Sequence, residues 1–149
     1  MDYIPFIKLR QEVVHETPIQ SRKLTSAFTV AEYAQELIGN CDRETVIVFG
    51  LGTKSDINFI STVSVGSLNS SLVHPREIFK ASIASNCARL IIAHNHPSGD
   101  IRPSDADHNF TRRICEAGDL LGIEVLDHVI VSPTEYYSFK EYGHIERKG

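Results

Sequence analysis

Between residues 29 and 40, in TVAEYAQELIGN, apolar side chains recur with helical spacing, so that Val30, Tyr33, Ala34, Leu37 and Ile38 share one face. Thr29 and Glu32 stand three apart as a capping box, Phe28 is placed to staple onto Tyr33, and Gly39 supplies a stop. A helix is predicted there. The period then shortens. ETVIVFGL and INFISTVSVG are β-rich runs on either side of the turn-prone GTKSD, which predicts a hairpin. Pro75 suits the first turn of a second helix, PREIFKASIASN, with Ile78, Phe79 and Ile83 on one side.

ARLIIAH is an uninterrupted apolar run of strand length that ends on His94, and PSDADHNFTRRICEAGDLLG after it has the pattern of a long amphipathic helix closed by Gly122. Its predicted apolar face is Ala106, Phe110, Ile114, Ala117 and Leu121. IEVLDHVIVS and EYYSF predict closing strands. Ahead of all these, FIKLRQEVV alternates enough to suggest an early strand, and PIQSRKLTS is polar and turn-like. Strands and helices do not alternate strictly, so the expected fold is a single α/β domain over residues 1–149, a mixed β-sheet flanked by helices.

Composition supports one core and narrows the setting. A chain of 149 residues with 42% hydrophobic content is the size of one compact domain. The opening MDYIPFIKLRQEVVHE has neither the basic nor the apolar region of a secretory leader, and no apolar run reaches membrane-spanning length, so a cytoplasmic protein without a membrane partner is expected. Cys41, Cys87 and Cys115 are far apart and form no C-x-x-C pair, which predicts neither disulfides nor a thiolate metal site. A net charge of −4 without lysine or arginine blocks argues against nucleic acid as a partner. The tail KEYGHIERKG is merely polar.

Candidate chemistry concentrates in HNHPSGDIRPSDAD, residues 94 to 107. Side chains at i and i+2 of a strand share a face, so His94 and His96 present two imidazoles to one point while Asn95 points away. Neutral imidazole is the commonest zinc ligand, and a catalytic zinc takes three protein ligands and keeps one position open. Helix phase selects the third. Asp107 stands beside the apolar face of the following helix, whereas Asp105 lines up with His108, Asn109 and Arg112 on a solvated face and Asp100 lies in the loop. Ser104, three residues before Asp107, is well placed as its N-cap. The plainer alternatives are a pair of ordinary polar histidines and a carboxylate that only caps its helix.

Other metal chemistries fit less well. The zinc deaminase pattern needs a P-C-x-x-C that is missing. Amidohydrolases with a strand-borne H-x-H need a TIM barrel of about 250 residues. An iron facial triad would be expected on an all-β scaffold with another ligand order. The letters His94-Asn95-His96 match the name of the HNH nucleases only verbally, because that name describes separated residues.

His94-x-His96-Pro97, six residues, Ser104, two residues and Asp107 together resemble the JAMM motif of the MPN-type metalloproteases. VHPREIFKASIASN, LIIAHNHPSGDIRPSDAD and GIEVLDHVIVS resemble its RadC branch more closely, and the resemblance covers roughly residues 28–143. It implies an MPN/JAMM (cytidine-deaminase-like) α/β sandwich, a Zn²⁺ cofactor, and hydrolysis of a peptide or isopeptide bond in a peptide or protein substrate. It also implies a catalytic glutamate on an upstream strand, a position that Glu44 matches, with Glu77 as the fallback; without the resemblance Glu44 is an acidic residue at a strand edge. In that scheme Zn²⁺ is held by His94, His96 and Asp107, Glu44 moves the proton, and Ser104 donates to the developing oxyanion.

Asp127 and His128 also match the RadC branch, on opposite faces of a strand, which suggests a structural or supporting part. Full-length RadC proteins carry an N-terminal helix-hairpin-helix region that residues 1–149 lack, so the DNA-repair association of that family is weakly supported. A non-catalytic interaction module and a metal-dependent nuclease are the competing expectations.

Overall fold

The computed structural model describes residues 1–66 and 73–146, so the last three residues of the polar tail lie outside the described residues. Among the described residues, three helices and five strands follow in the order α1 (Ala27–Ile38), β1 (Thr45–Leu51), β2 (Ile57–Val65), α2 (Pro75–Ala84), β3 (Arg89–Asn95), α3 (Asp105–Leu121), β4 (Glu124–Val131) and β5 (Tyr136–Ser138). The strands form one sheet in the order β2-β1-β3-β4-β5. Only the β3–β4 pair is parallel, because α3 carries the chain back across the sheet between them; the other neighbours are antiparallel. The expected mixed α/β sheet is the observed one.

Strand parity divides the core into two layers. Ile47, Phe49, Leu51, Ile91, Ala93, Val129 and Val131 face α1 and pack on Val30, Ala31, Ala34 and Ile38. Val46, Val48, Leu90, Ile92 and Val125 face the other way and pack on Ile78 and Phe79 of α2 and Phe110 and Ile114 of α3. With both faces covered, β1 and β3 are apolar throughout their central stretches, as the sequence shows. His94 shares the α3 face with Leu90 and Ile92, and Asn95 shares the α1 face with Ile91 and Ala93.

Local details depart from the sequence reading in five places. Residues 6–14 form no strand: Phe6, Ile7, Leu9, Val13 and Val14 are all exposed. The apolar positions there change parity between 6, 7, 9, 13 and 14, so no single face collects them. Helix α1 begins earlier than the Thr29–Glu32 box requires, because Ser26 is its N-cap and accepts from the Thr29 N–H at 3.3 Å. Phe28 packs edge-on against Tyr136 at 6.4 Å rather than on Tyr33. On α2 the buried side is Ile78, Phe79 and Ser82, with Ile83 half exposed.

The buried face of α3 also drifts from the predicted one, to Asp107, Phe110, Thr111, Ile114 and Gly118, leaving Leu121 exposed. Gly118 is needed because a Cβ there would lie 2.5 Å from the Ile123 carbonyl oxygen and 3.1 Å from Val125 Cγ2. Backbone cannot yield as a side chain can. Gly118→Ala is expected to cost about 1–3 kcal/mol, the usual penalty for overpacking, and to lower the melting temperature by roughly 3–10 °C for a domain of this size. An unchanged melting curve would show that α3 moves freely off β4.

Candidate metal centre

The end of β3 carries the site. His94 is completely buried at the last turn of the strand's pleat, and His96 follows it on the same side, so the two rings stand 4.9 Å apart in an edge-on arrangement. Their Nε2 atoms are 3.0 Å apart. His96 is held by its own neighbours: its N–H donates to the Val131 carbonyl at 3.0 Å, and its Nδ1 lies 2.7 Å from the Asp100 carbonyl oxygen. A carbonyl only accepts, so Nδ1 carries a proton and donates, leaving Nε2 free to face His94.

Helix α3 then brings in the carboxylate. Ser104 is its N-cap and Asp107 its third residue: the Ser104 Oγ accepts from the Asp107 N–H at 3.1 Å while Asp107 Oδ2 accepts from the Ser104 N–H at 2.9 Å. This reciprocal box turns the carboxylate toward the strand. Asp107 Oδ1 lies 3.5 Å from His94 Nε2 and Oδ2 lies 3.3 Å from His96 Nε2. The capping role and the site role are thus filled by one geometry.

The 3.0 Å between the two Nε2 atoms, and the approach of Asp107 Oδ1 to His94 Nε2 at 3.5 Å and of its Oδ2 to His96 Nε2 at 3.3 Å, decide whether the group suits a cation. Nitrogen and oxygen donors about 2.0–2.1 Å from a tetrahedral centre stand about 3.3–3.4 Å from one another. The donor set fits. Glu44, just before β1, reaches the same place because β1 runs antiparallel to β3 with Val46 opposite His94. Its Oε1 is 4.0 Å from His96 Nε2, and Glu44, His94 and His96 offer ligand atoms within 4.8 Å of one another. At 4.0 Å from His96 Nε2 it is beyond direct hydrogen-bond reach, a separation that a bridging water can span.

Charge is arranged to match. Burial pushes the His94 pKa well below its ordinary value, helped by His128 and opposed by Asp107, so that ring is neutral. Burial alone would raise Asp107, but hydrogen bonding to His96, the nearby His94 and the Ser104 N–H hold it far below the usual carboxylate range. His96 is also pushed down by burial, yet Asp107, the Asp100 carbonyl and Glu44 leave it raised on balance.

The remaining candidates sit elsewhere or act differently. Glu77 lies on the surface of α2, 3.0 Å from Lys80 Nζ and 4.0 Å from Arg76 Nε, as a first-turn carboxylate does. The Asp100 carboxylate is forked onto Arg102 and held down at about 2 by that pairing. Asp105 is exposed. Asp127 accepts from Ser138 Oγ at 2.6 Å and from the Lys140 N–H at 3.0 Å, tying β4 to the chain after β5, and His128 lies behind His94. Cys87 is buried, Cys41 and Cys115 are partly buried, and none of the three is in a disulfide.

Two groups escaped the sequence reading. Asn95, between the histidines, uses its whole amide: Oδ1 accepts from the Thr45 N–H at 2.6 Å, and Nδ2 donates to the Cys41 and Arg43 carbonyls at 3.3 and 3.0 Å. It therefore anchors the peptide on both sides of Glu44. Thr111 is buried one helical turn beyond Asp107 and touches His128. A polar residue in the middle of a buried apolar pattern was the available signal in both cases.

A mixed sheet between helical layers, with an H-x-H strand end facing a helix-capping aspartate, defines an α/β domain of the JAB/MPN class. A family model described as "RadC-like JAB domain" matches residues 24–144, and the chain belongs to that family. It is 46% identical over 137 residues to a UPF0758 protein of Desulfitobacterium hafniense, covering 92% of this chain and 60% of that protein. A UPF0758 protein of Chlorobium chlorochromatii is 41% identical over 143 residues, covering 96% and 64% respectively. One from Rubrobacter xylanophilus is 53% identical over 106 residues, covering 71% and 46%. The chain thus spans about half to two thirds of the length of these relatives. No helix among the described residues is long and apolar enough to cross a membrane.

Proposed function

We propose that the domain is a zinc-dependent hydrolase that cleaves a peptide or isopeptide amide bond with an activated water. The observation that carries this reading is the convergence of His94 Nε2 and His96 Nε2, 3.0 Å apart, on the Asp107 carboxylate, whose Oδ1 lies 3.5 Å from the first and whose Oδ2 lies 3.3 Å from the second. What zinc supplies in such a setting is a water acidified toward a pKa of about 7 and a polarised carbonyl.

The chain's own groups do the rest. Glu44, 4.0 Å from His96 Nε2, takes the proton of the attacking water and returns it to the leaving amine. The Ser104 oxygen is occupied as an acceptor from the Asp107 N–H, so its own proton is available to an oxygen gaining negative charge as the carbonyl is attacked. The N-cap bond fixes where that hydroxyl stands. A metallopeptidase fits the acidic net charge of −4 better than a nuclease does, since a surface built for phosphate would be basic.

Metal analysis of the purified chain beside His94→Ala tests the proposal. The native chain is expected to carry about one zinc in a site of this donor set, the variant none, and cleavage of a peptide library is expected to disappear with the metal on chelation. Native protein that takes up no zinc on titration, or cleavage untouched by a chelator, would overturn it. A chain that binds zinc but cleaves no peptide and still captures a protein partner after His96→Ala would point to the interaction module instead.

A further inference from the structure

A single hydrogen-bonded path runs behind the site and joins two of its members. It starts at the backbone of Asp107, where the Thr111 Oγ1 donates to the Asp107 carbonyl at 2.9 Å. Thr111 Oγ1 is also 2.6 Å from His128 Nδ1, and His128 Nε2 is 2.6 Å from His94 Nδ1. The path ends on the ring whose other nitrogen, Nε2, faces His96 and Asp107. Thr111, His128 and His94 are all buried, so water does not compete for these contacts.

Only one placement of the protons satisfies all three contacts behind His94. A threonine hydroxyl has one proton, and the Asp107 carbonyl can only accept. If the hydroxyl turned to His128 instead, two oxygens would face each other at 2.9 Å with no proton between them. The proton therefore goes to Asp107, as is common for threonine bonding back one turn in a helix. His128 must then donate from Nδ1 to Thr111, which leaves its Nε2 as an acceptor. His94 in turn must donate from Nδ1, and its Nε2 is left bare, pointing into the site. The reversed path would put a proton on His94 Nε2 and close it to any cation.

Packing holds the intermediate ring to this task. The His128 ring lies flat on Phe139, with centroids 4.7 Å apart and planes 3° from parallel, and Phe110 meets it edge-on at 5.7 Å. A partial turn of the ring breaks that stack, and a half-turn puts carbons where its nitrogens meet Thr111 and His94. We propose that His128, set by Thr111, is a positioning residue that fixes His94 as the Nδ1–H tautomer and so presents a bare Nε2 to the metal. This inference rests on the metal reading for its purpose and on the hydrogen-bond path for its substance.

Two measurements test it separately. Long-range proton–nitrogen NMR on the metal-free native chain at neutral pH is expected to show His94 and His128 both protonated on Nδ1. His94 protonated on Nε2 would overturn the inference whether or not zinc binds. If the expected tautomers are present but zinc does not bind, the metal reading fails and the path stands.

The second measurement is zinc affinity, by competition with a chromophoric chelator. Thr111→Val keeps the shape and removes the hydroxyl, and is expected to weaken zinc binding about 10–100-fold, the usual scale for a group that orients a ligand. Thr111→Ser is expected to restore it to within a few-fold. His128→Phe keeps the stack on Phe139 and is expected to match the Thr111→Val loss. A folded Thr111→Val with native affinity, or a Thr111→Ser that fails to recover, would overturn the inference. Should the variants not fold, the tautomers of the native chain decide.

Discussion

Glu44→Gln is expected to abolish hydrolysis while zinc stays bound. The substitution keeps the length and shape of the side chain and removes only its ability to take a proton, and positioned proton transfer is worth about 10²–10⁴-fold in rate. The three donors at 3.0–3.5 Å come from β3 and α3, so nothing in their geometry depends on the Glu44 charge, and zinc affinity should hold to within a few-fold. The distances make this a sharp comparison. At 4.0 Å from His96 Nε2 the carboxylate is near enough to share a water with the site but beyond direct hydrogen-bond reach. If Glu44→Gln lost zinc together with activity, Glu44 would be a ligand; if it kept its activity, Glu44 would have no part in proton transfer. Glu77→Gln, on the surface with Lys80, should change neither.

What could be read from the sequence and what could not follow the same division between local and distant contacts. His94 and His96 share a face by strand parity alone, and Asp107 and Ser104 are related by a capping box whose ends are three positions apart, so these four were legible within fourteen residues. Glu44 is fifty residues from His94, and its approach depends on β1 pairing with β3 in one register, Val46 opposite His94. No local pattern encodes that. Here only the family resemblance singled Glu44 out.

Thr111 and His128 were intermediate cases. Thr111 lies four residues after Asp107, so helical spacing puts the two on one face, but its partner on β4 is set by the parallel pairing that aligns His128 with Ile92. The missed early strand had the opposite cause. Residues 6–14 have the composition of a strand without a constant face, and composition alone cannot bury a segment. The drift from Leu121 to Gly118 on α3 reflects how closely the helix approaches the Ile123 carbonyl, which only a glycine permits.

Asn95→Asp is expected to damage both stability and turnover while sparing the metal. The replacement has almost the same shape and keeps an acceptor for the Thr45 N–H, but it turns the two donor contacts to the Cys41 and Arg43 carbonyls into oxygen facing oxygen. Asn95 is fully buried, so no water relieves that conflict. Unsatisfied buried groups cost about 1–3 kcal/mol each and a buried charge adds to it, which gives a loss on the order of 3–5 kcal/mol. That is a large part of the stability of an ordinary domain, typically about 5–15 kcal/mol.

The same contacts hold Arg43 and Thr45, the residues on either side of Glu44, so releasing them lets the carboxylate move relative to His96. A misplacement of about 1 Å can cost on the order of 10²-fold in rate. His94, His96 and Asp107 do not hang on that loop, and zinc affinity in the folded fraction should stay within a few-fold of native. Denaturant melts, zinc competition and turnover on one preparation separate these effects. Native turnover in a destabilised Asn95→Asp would limit Asn95 to holding the fold, and an unchanged melt would mean that its donor contacts carry no weight.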